Sequence, residues 1–419
     1  MDLITKAIDT YVEGGKLVWA SVQSFSLQSF FEDVSPSSAN ISGILLSLVL
    51  GGLLAFIVIA RLTKPSAHVP GAEKANLAIG FDAVAVEKEG APPIPPPTEV
   101  VSLRIYPIKS CRGFEVDGTR VRKAGLTLDR NWMFIDCKTR KFLTIRSDPT
   151  MTLIDTSLVD EKLNGKDVQM LEISIRGKED RVTVPAFPSQ EWLKENTTLS
   201  NVEIWEKETD AYEYSDKINS TFSAFFDKKV SLVYKGPTAR MVAINGSKDL
   251  YGTATPHNFG DVMSLLVASE ASLADLNRRL ASQDDPMDEL SIERFRPNII
   301  VKGRPDHPWE EDHWKRIRLT TSLPEEKALY KVDLDVVARC ARCQVPNVNP
   351  DTADKHPKQP WDELMKFRRI DHGGVAKWKP CFGMMCIPKN EGKVSVGAKL
   401  EVLETTAKHS YNTAKFEDL

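Results

Sequence analysis

From residue 100 onward, the chain is a succession of short segments with the alternating pattern of β-strands. In the first of these, residues 101–106, apolar and polar side chains alternate, and Pro107 ends the segment. A period of two indicates a strand with one buried face. Such short strands favour a barrel or a mixed sheet over a doubly wound fold. Further strands are predicted at residues 132–136, 141–146, 171–175, 181–184, 202–205 and 231–234, the first two of these as a hairpin.

A second unit begins near Arg240 and adds a helix to this pattern. Ser269 is a predicted N-cap for a helix over residues 270–280, in which three leucines share one face. Because strands and a helix are both predicted, the expected fold class is α+β. Strands are predicted at residues 298–301, 317–320 and 399–403, with long connections at residues 346–360 and 371–380.

An uncharged apolar run occupies residues 41–60. As a helix rising 1.5 Å per residue it would be about 30 Å long, which is the thickness of the hydrocarbon core of a bilayer. The sequence therefore predicts a single N-terminal transmembrane helix. Arg61 and Lys64 follow the run directly, so the positive-inside rule places the large C-terminal part in the cytosol.

Composition divides the rest of the chain. The linker after the apolar run ends in a proline-rich stretch, residues 92–97, which is typical of an extended, semi-rigid spacer. The predicted organisation is an N-terminal segment at 1–40, the transmembrane helix at 41–60, a linker at 61–98, a β-rich domain at 99–236, a second domain at 237–405 and a tail at 406–419.

The charge balance and the cysteine content exclude several classes of protein. The chain has 55 basic and 58 acidic residues, so it has no overall basic field and nucleic acid is not a predicted partner. Any anion site must be a local cluster. Six cysteines are too few for a disulfide scaffold of this length, which favours a reducing compartment. The sequence contains neither a P-loop nor a dinucleotide-binding fingerprint.

The pair Cys340 and Cys343 is the main candidate for metal chemistry, because each follows an arginine. A thiolate binds soft metals, and a neighbouring guanidinium stabilises its charge. The spacing leaves three interpretations open. The thiols hold a redox-active metal, form a zinc site with Cys381 and Cys386, or bind no metal.

Other polar side chains are candidates for binding an anion. Lys109, Ser110 and Arg112 lie on a predicted tight turn, where two cations and a hydroxyl suit a phosphate, although a solvated turn is the alternative. By itself, Arg130 is as easily an ion-pair partner of Asp129 or Asp136. By itself, Asp261 is interpreted as a capping aspartate.

Arg296 and Asn298 flank a proline at the entrance of a predicted strand, where polar side chains either cap the strand or bind a ligand. With Cys343 and the segment at 349–352, the turn at 109–113 and the motif at 129–132, they resemble the MOSC molybdenum-cofactor family. The resemblance is closest to its membrane-anchored amidoxime-reducing branch. It extends over residues 100–403.

The resemblance implies roles for individual residues. Residues 99–236 would be the MOSC N-terminal β-barrel-like domain and residues 237–405 the MOSC domain, with a molybdenum-pterin cofactor between them. Cys343 would bind the molybdenum, and Asp261 would lie near it as a catalytic acid. The residues implied to bind the cofactor are Lys109, Ser110, Arg112, Arg130, Arg296, Asn298 and Arg342.

The implied activity is the reduction of small N-hydroxylated compounds, such as amidoximes and hydroxylamines, to amines. Electrons would come from a b-type cytochrome and its flavin reductase on a shared membrane, and the mitochondrial outer membrane is favoured over the endoplasmic reticulum. Two alternatives remain. One is a MOSC protein that carries sulfur or cofactor, in connection with pyridoxal-phosphate sulfur chemistry, and the other is a zinc-stapled membrane adaptor.

Overall fold

The computed structural model describes residues 90–410, except residues 164–165, 243–245, 253, 284–286 and 372–377. The chain begins with β1 (Thr98–Ile105), β2 (Phe114–Val116), β3 (Gly118–Arg122), β4 (Gly125–Leu126), β5 (Trp132–Asp136), β6 (Ile154–Leu163), β7 (Lys166–Ile175), β8 (Arg181–Pro185), β9 (Thr197–Ile204), β10 (Lys207–Tyr214) and β11 (Val230–Lys235). It continues with β12 (Arg240–Met241), β13 (Pro256–His257), β14 (Leu265–Ser269), β15 (Ile299–Val301), β16 (Trp314–Leu323), β17 (Ala328–Ala341), β18 (Cys381–Pro388), β19 (Gly392–Ser395) and β20 (Lys399–Thr405).

The helices are short and connect the strands. They are α1 (Gln190–Asn196), α2 (Asp216–Phe225), α3 (Lys248–Tyr251), α4 (Glu270–Ala281) and α5 (Trp361–Phe367). Turns of 3-10 helix lie at Pro149–Leu153, Ile292–Phe295, Glu310–His313, Pro324–Glu326 and Val345–Asn347. The fold is therefore mostly β, and the predicted α+β class was wrong. The helical pattern at residues 270–280 was given too much weight. The extended hydrogen-bonded pairings in the fold are all between strands.

Seven strands close into a barrel in the order β15, β14, β18, β17, β16, β20 and β1, with β1 pairing back to β15. Neighbours are antiparallel except β14 and β15, which are parallel. Closure pairs every strand on both sides, which removes open sheet edges. The interior is filled by buried aliphatic side chains such as Leu103, Ile299, Ile317, Leu334 and Leu400.

A four-stranded antiparallel sheet in the order β5, β11, β10 and β9 lies in the same compact unit as the barrel. Its buried side chains include Met133, Val202 and Val233. The strands β9 and β10 pair up to Ile204 and Lys207, so their hairpin turns on two residues, Trp205 and Glu206. Both have positive φ, of 53° and 62°, which is the conformation of a two-residue turn that matches strand twist.

The structure confirms many of the predicted segments. Strands were found over the predicted ranges that became β1, β5, β9, β11 and β20, and α4 begins at Glu270 as predicted. The predicted strand at 141–146 was wrong. Lys141 and Phe142 form only isolated bridges there, to Glu203 and to Ile135 of β5, and the continuous partner of β5 is β11. This segment leaves the sheet, so that Arg146 at its end reaches a different part of the fold.

The predictions about a membrane need correction. No helix in the described ranges is long and apolar enough to cross a membrane. The longest of them, α4, has 12 residues and is about 18 Å long. The predicted helix at 41–60 lies outside the described residues. The finding contradicts the membrane-spanning part of the predicted fold and the predicted localisation as a single-pass membrane protein with a cytosolic catalytic part.

Candidate functional site

Lys109 lies just beyond β1, where its backbone amide donates to the carbonyl oxygen of Trp132 at 2.8 Å. The side chain is buried. Its Nζ donates to the carbonyl oxygen of Phe259 at 2.9 Å and pairs with the carboxylate of Asp261. Burial lowers the pKa of Lys109 to about 8, although Asp261 opposes this shift. The fold thus holds a buried cation that is close to losing its proton at mildly alkaline pH.

We expect this lysine to make stability depend on pH. In the unfolded chain it keeps its proton up to its ordinary pKa of 10.5, whereas in the folded protein it loses the proton near pH 8. Between these values the unfolded state binds more protons, so the free energy of unfolding should rise with pH. Urea denaturation of the wild type and Lys109→Met between pH 7 and pH 10 measures the effect, since only the wild type should gain. Parallel curves would contradict the assignment.

Arg146 connects the thiol of Cys343 to Asp261. Its Nε donates to the Sγ of Cys343 at 3.4 Å, and its Nη2 lies 3.6 Å from the Oδ2 of Asp261. Burial lowers the pKa of Arg146, but Cys343 and Asp261 raise it by more than burial lowers it. The net shift is upward, so the guanidinium stays charged. The half-buried thiol therefore faces a cation within hydrogen-bonding distance. The sequence gave no sign of this contact, because 197 residues separate the partners.

Asp261 is an ionised carboxylate in this arrangement. Burial raises its pKa, but Lys109 and Arg146 outweigh that effect and hold the pKa well below the usual range. The indole Nε1 of Trp205 also donates to its Oδ1, at 3.3 Å. An ionised carboxylate accepts a proton before it can give one. The predicted role of Asp261 as an acid thus requires that it first be protonated.

Two guanidinium groups enclose the ring of Tyr106. The Cζ atoms of Arg130 and Arg296 lie 4.4 and 4.3 Å from the ring centre. Arg130 pairs with Asp129 at 2.5 Å, whereas the Nη2 of Arg296 is buried and has no hydrogen-bond partner among the described residues. Burial and the nearby Arg130 both lower the pKa of Arg296. An unused donor on a desolvated cation is a feature expected of an anion site.

Gly113 makes this stack possible. A Cβ at this position would lie 2.2 Å from the carbonyl oxygen of Ile105 and 2.6 Å from the ring of Tyr106. The glycine in the turn at 109–113 is thus required by close packing. Ser110 in the same turn has a φ of 69° and is half-buried.

Arg112 lies at a cavity between the turn at 109–113 and the segment after Cys343. It contacts Glu293 at 3.0 Å and Asp351 at 2.6 Å, and Asp351 also accepts a hydrogen bond from Arg176 at 2.9 Å. Arg112 and Arg296 therefore face one space. The cavity is lined by Arg112, Ile145, Thr152, Glu293, Arg294, Arg296, Val345, Val348 and Pro350.

The remaining candidates have different roles. Arg342 donates to the carbonyl oxygen of Phe295 at 2.9 Å and to the Sγ of Cys340 at 3.0 Å, and its buried Nε has no partner within the described ranges. Asn298 is used by the barrel itself. Its Oδ1 accepts from the backbone amide of Leu266 at 3.2 Å, and its Nδ2 donates to the carbonyl oxygen of Arg104 at 3.3 Å. The capping alternative describes Asn298 better.

The four cysteines proposed for zinc do not converge. Cys381 and Cys386 are buried in β18, and burial raises the pKa of both thiols. No group of three or more histidine, cysteine, aspartate or glutamate side chains that could hold a metal ion occurs among the described residues. Of these thiols, Cys343 is therefore the one whose surroundings best suit a metal that arrives as part of a cofactor.

Comparison with protein families gives two matches. Residues 98–229 match the MOSC N-terminal beta barrel domain, and residues 254–401 match the MOSC domain. The chain is a MOSC-domain protein. The two matches meet at the site, since Lys109, Ser110, Arg112, Arg130 and Arg146 come from the first and Asp261, Arg296, Asn298, Arg342 and Cys343 from the second.

This MOSC protein is similar to two kinds of curated relative. It is 29% identical to a molybdenum cofactor sulfurase of Oryza sativa subsp. japonica, over 72% of this chain but only 34% of that protein. It is 26% identical to the mitochondrial amidoxime-reducing component 1 of Homo sapiens and 27% identical to that of Mus musculus, over 73% of this chain and 82% of each. The chain thus spans about a third of the length of the sulfurases it matches.

Proposed function

We propose that this MOSC protein binds a molybdenum-pterin cofactor through Cys343 and reduces N-hydroxylated compounds to amines. The observation that carries the proposal is the 3.4 Å contact between the Cys343 thiol and the Arg146 guanidinium, at the edge of a cluster of buried cations. The MOSC family binds molybdenum cofactor, and curated relatives include enzymes named for amidoxime reduction.

The residues of the site fit such a cofactor. A molybdenum-pterin carries a phosphate and therefore needs cations with free donors, and the buried Nη2 of Arg296 and Nε of Arg342 both have an unused donor within the described part of the chain. Arg112 lines the same cavity as Arg296, and Arg130 lies with Arg296 against the ring of Tyr106. The soft thiolate of Cys343 is a suitable ligand for molybdenum, whereas the carboxylates nearby are occupied by ion pairs.

When bound, the cofactor supplies a metal that takes up oxygen and exchanges two electrons. The overall change is R-NHOH plus two electrons and two protons to R-NH2 and water. In this proposal Cys343 would hold the metal, and the guanidinium of Arg146 lies 3.4 Å from its sulfur. Asp261, being ionised, receives a proton from solvent and passes it to the departing oxygen.

The electrons come from a separate protein in this proposal. The resemblance to the amidoxime-reducing branch implies that a separate partner delivers them. We extend this to a b-type cytochrome and its flavin reductase as donors for this chain. The donor must approach the exposed side of the site, where Arg146 and Asp261 are about half-exposed.

A second candidate function is that of a MOSC protein that carries the cofactor or its sulfur. The observation in its favour is the 29% identity to the rice molybdenum cofactor sulfurase. Such a carrier would use the same cofactor-binding residues and the same thiol, Cys343. It would differ in lacking turnover of an N-hydroxylated substrate.

The test is to purify the full chain from a host that makes the cofactor and to measure metals, pterin and benzamidoxime reduction with a reduced viologen. We expect stoichiometric molybdenum and formation of benzamidine. Molybdenum without turnover would favour the carrier, and equimolar zinc without molybdenum would contradict both functions.

A further inference from the structure

The tip of the β9–β10 hairpin brings a tryptophan into the site. Trp205 and Glu206 form the turn, and neither is the glycine or asparagine that positive φ favours. Such backbone strain is retained where the surrounding structure enforces it, and it clusters at functional sites. The hairpin belongs to the first family match, yet its tip reaches Asp261 in the second.

The indole of Trp205 contacts both Asp261 and Arg146, and Arg146 in turn contacts Cys343. Its Nε1 donates to the Oδ1 of Asp261 at 3.3 Å, and its ring centre lies 4.7 Å from the Cζ of Arg146. The ring also meets Phe142 edge-on at 5.0 Å between centres, and the Nζ of Lys109 lies 5.9 Å away. One side chain thus contacts both partners of the ion pair that faces the thiol.

We propose that Trp205 is a positioning residue that holds Arg146 against the thiol of Cys343 and orients the carboxylate of Asp261. Arg146 has a long side chain that is 40% exposed, and its ion pair with Asp261 is 3.6 Å long. A half-exposed pair of this length is held weakly by charge alone. The indole supplies a flat face for the guanidinium and a donor for the carboxylate, which together restrict both groups.

The inference deepens the proposed function, because the groups that Trp205 holds are the ones assigned to the metal ligand and the proton. The positioning itself does not need the cofactor. It is a property of the cofactor-free chain and is measured there first.

Two variants separate the two contacts. Trp205→Phe keeps an aromatic face for Arg146 and Phe142 but removes the donor to Asp261, whereas Trp205→Leu removes both. Glu206→Gly is the matched control, since it changes the exposed neighbour in the same turn to a residue that adopts positive φ readily.

The first measurement uses cofactor-free protein. The rate of alkylation of Cys343 by iodoacetamide is followed by peptide mass spectrometry. Cys137, which directly follows β5, is the internal control. We expect Trp205→Leu to slow alkylation of Cys343 by about threefold because the attacking sulfur loses the guanidinium that Trp205 holds beside it. Trp205→Phe and Glu206→Gly should react like the wild type, and Cys137 should not change in any variant.

The second measurement tests the contact with Asp261. The indole N–H resonance of Trp205, assigned by its loss in Trp205→Phe, should shift in Asp261→Asn and not in Glu206→Gly. In loaded enzyme, Trp205→Phe should lower kcat by about tenfold with KM unchanged, because proton transfer loses its orientation.

Unchanged Cys343 alkylation in a folded Trp205→Leu variant, or an indole resonance indifferent to Asp261→Asn, would overturn the inference. If Trp205→Leu does not fold, the resonance in Asp261→Asn still decides. Failure of the proposed reductase is seen separately, as wild-type protein without molybdenum or turnover.

Discussion

Cys343→Ser is expected to abolish both molybdenum retention and the reduction of benzamidoxime. A serine hydroxyl is too weakly acidic to be ionised beside Arg146 and too hard to replace a thiolate on molybdenum. The change removes one sulfur atom at a half-buried position, so the fold should be preserved. Metal analysis, pterin content and turnover of the purified variant measure the effect.

Cys340→Ser is the matched control for this substitution. Its Sγ lies 3.0 Å from the Nη1 of Arg342, in the same Cys-x-x-Cys pair, so a serine can still accept that hydrogen bond. We expect it to keep most of the molybdenum and activity. Cys381→Ser and Cys386→Ser should also keep activity in whatever fraction folds. Equal loss from all four substitutions would favour a zinc site and would contradict the assignment of Cys343.

Arg296→Met is expected to weaken cofactor retention by about 1.5–3 kcal/mol, the loss for a charge-assisted hydrogen bond to a bound anion. The cofactor-free variant should unfold at the same denaturant concentration as the wild type or at a higher one. Burial and Arg130 lower the pKa of Arg296, which means that the folded protein disfavours this charge. A methionine keeps the apolar stem over Tyr106 and removes that cost.

The two readouts for Arg296→Met therefore move in different directions, which separates binding from folding. Pterin content after dialysis measures retention, and urea denaturation without cofactor measures stability. Asn298→Asp provides a contrast. Within the described residues, the Asn298 side chain bonds to the barrel backbone, so this substitution should lower stability instead. An Arg296→Met variant with normal pterin content would show that this guanidinium does not bind the cofactor.

Local patterns in the sequence predicted most strands but not how they pair. The alternation in β1 and the apolar character of β5 and β11 are visible in any short window. Barrel closure depends on pairing between β1 and β15, which are nearly 200 residues apart, and no local pattern encodes it. The fold class was misjudged for this reason, since a helix such as α4 is as visible in a window as a strand is.

The candidate site was predicted through motifs, and its connecting residues were missed. Cys343, Arg296, Arg112 and Lys109 stand in segments that resemble a family. Arg146 and Trp205 do not, because the one ends a segment that resembles a strand and the other resembles the last residue of β9. Their importance comes from contacts with Cys343 and Asp261, which only the folded chain brings together.

The carboxylate of Asp351 bridges the guanidinium groups of Arg112 and Arg176, and the hydrogen bond from Arg112 lowers its pKa below the usual range. The arginines at this cavity are thus already paired with an anion of the protein itself, the carboxylate of Asp351. Any phosphate that uses Arg112 must displace a carboxylate that is already paired, so affinity measures an exchange between two anions. A dianion gains more from this exchange than a monoanion does, and small monovalent salts weaken both states alike. Under the proposed function, this ion pair favours a phosphorylated ligand over a simple anion.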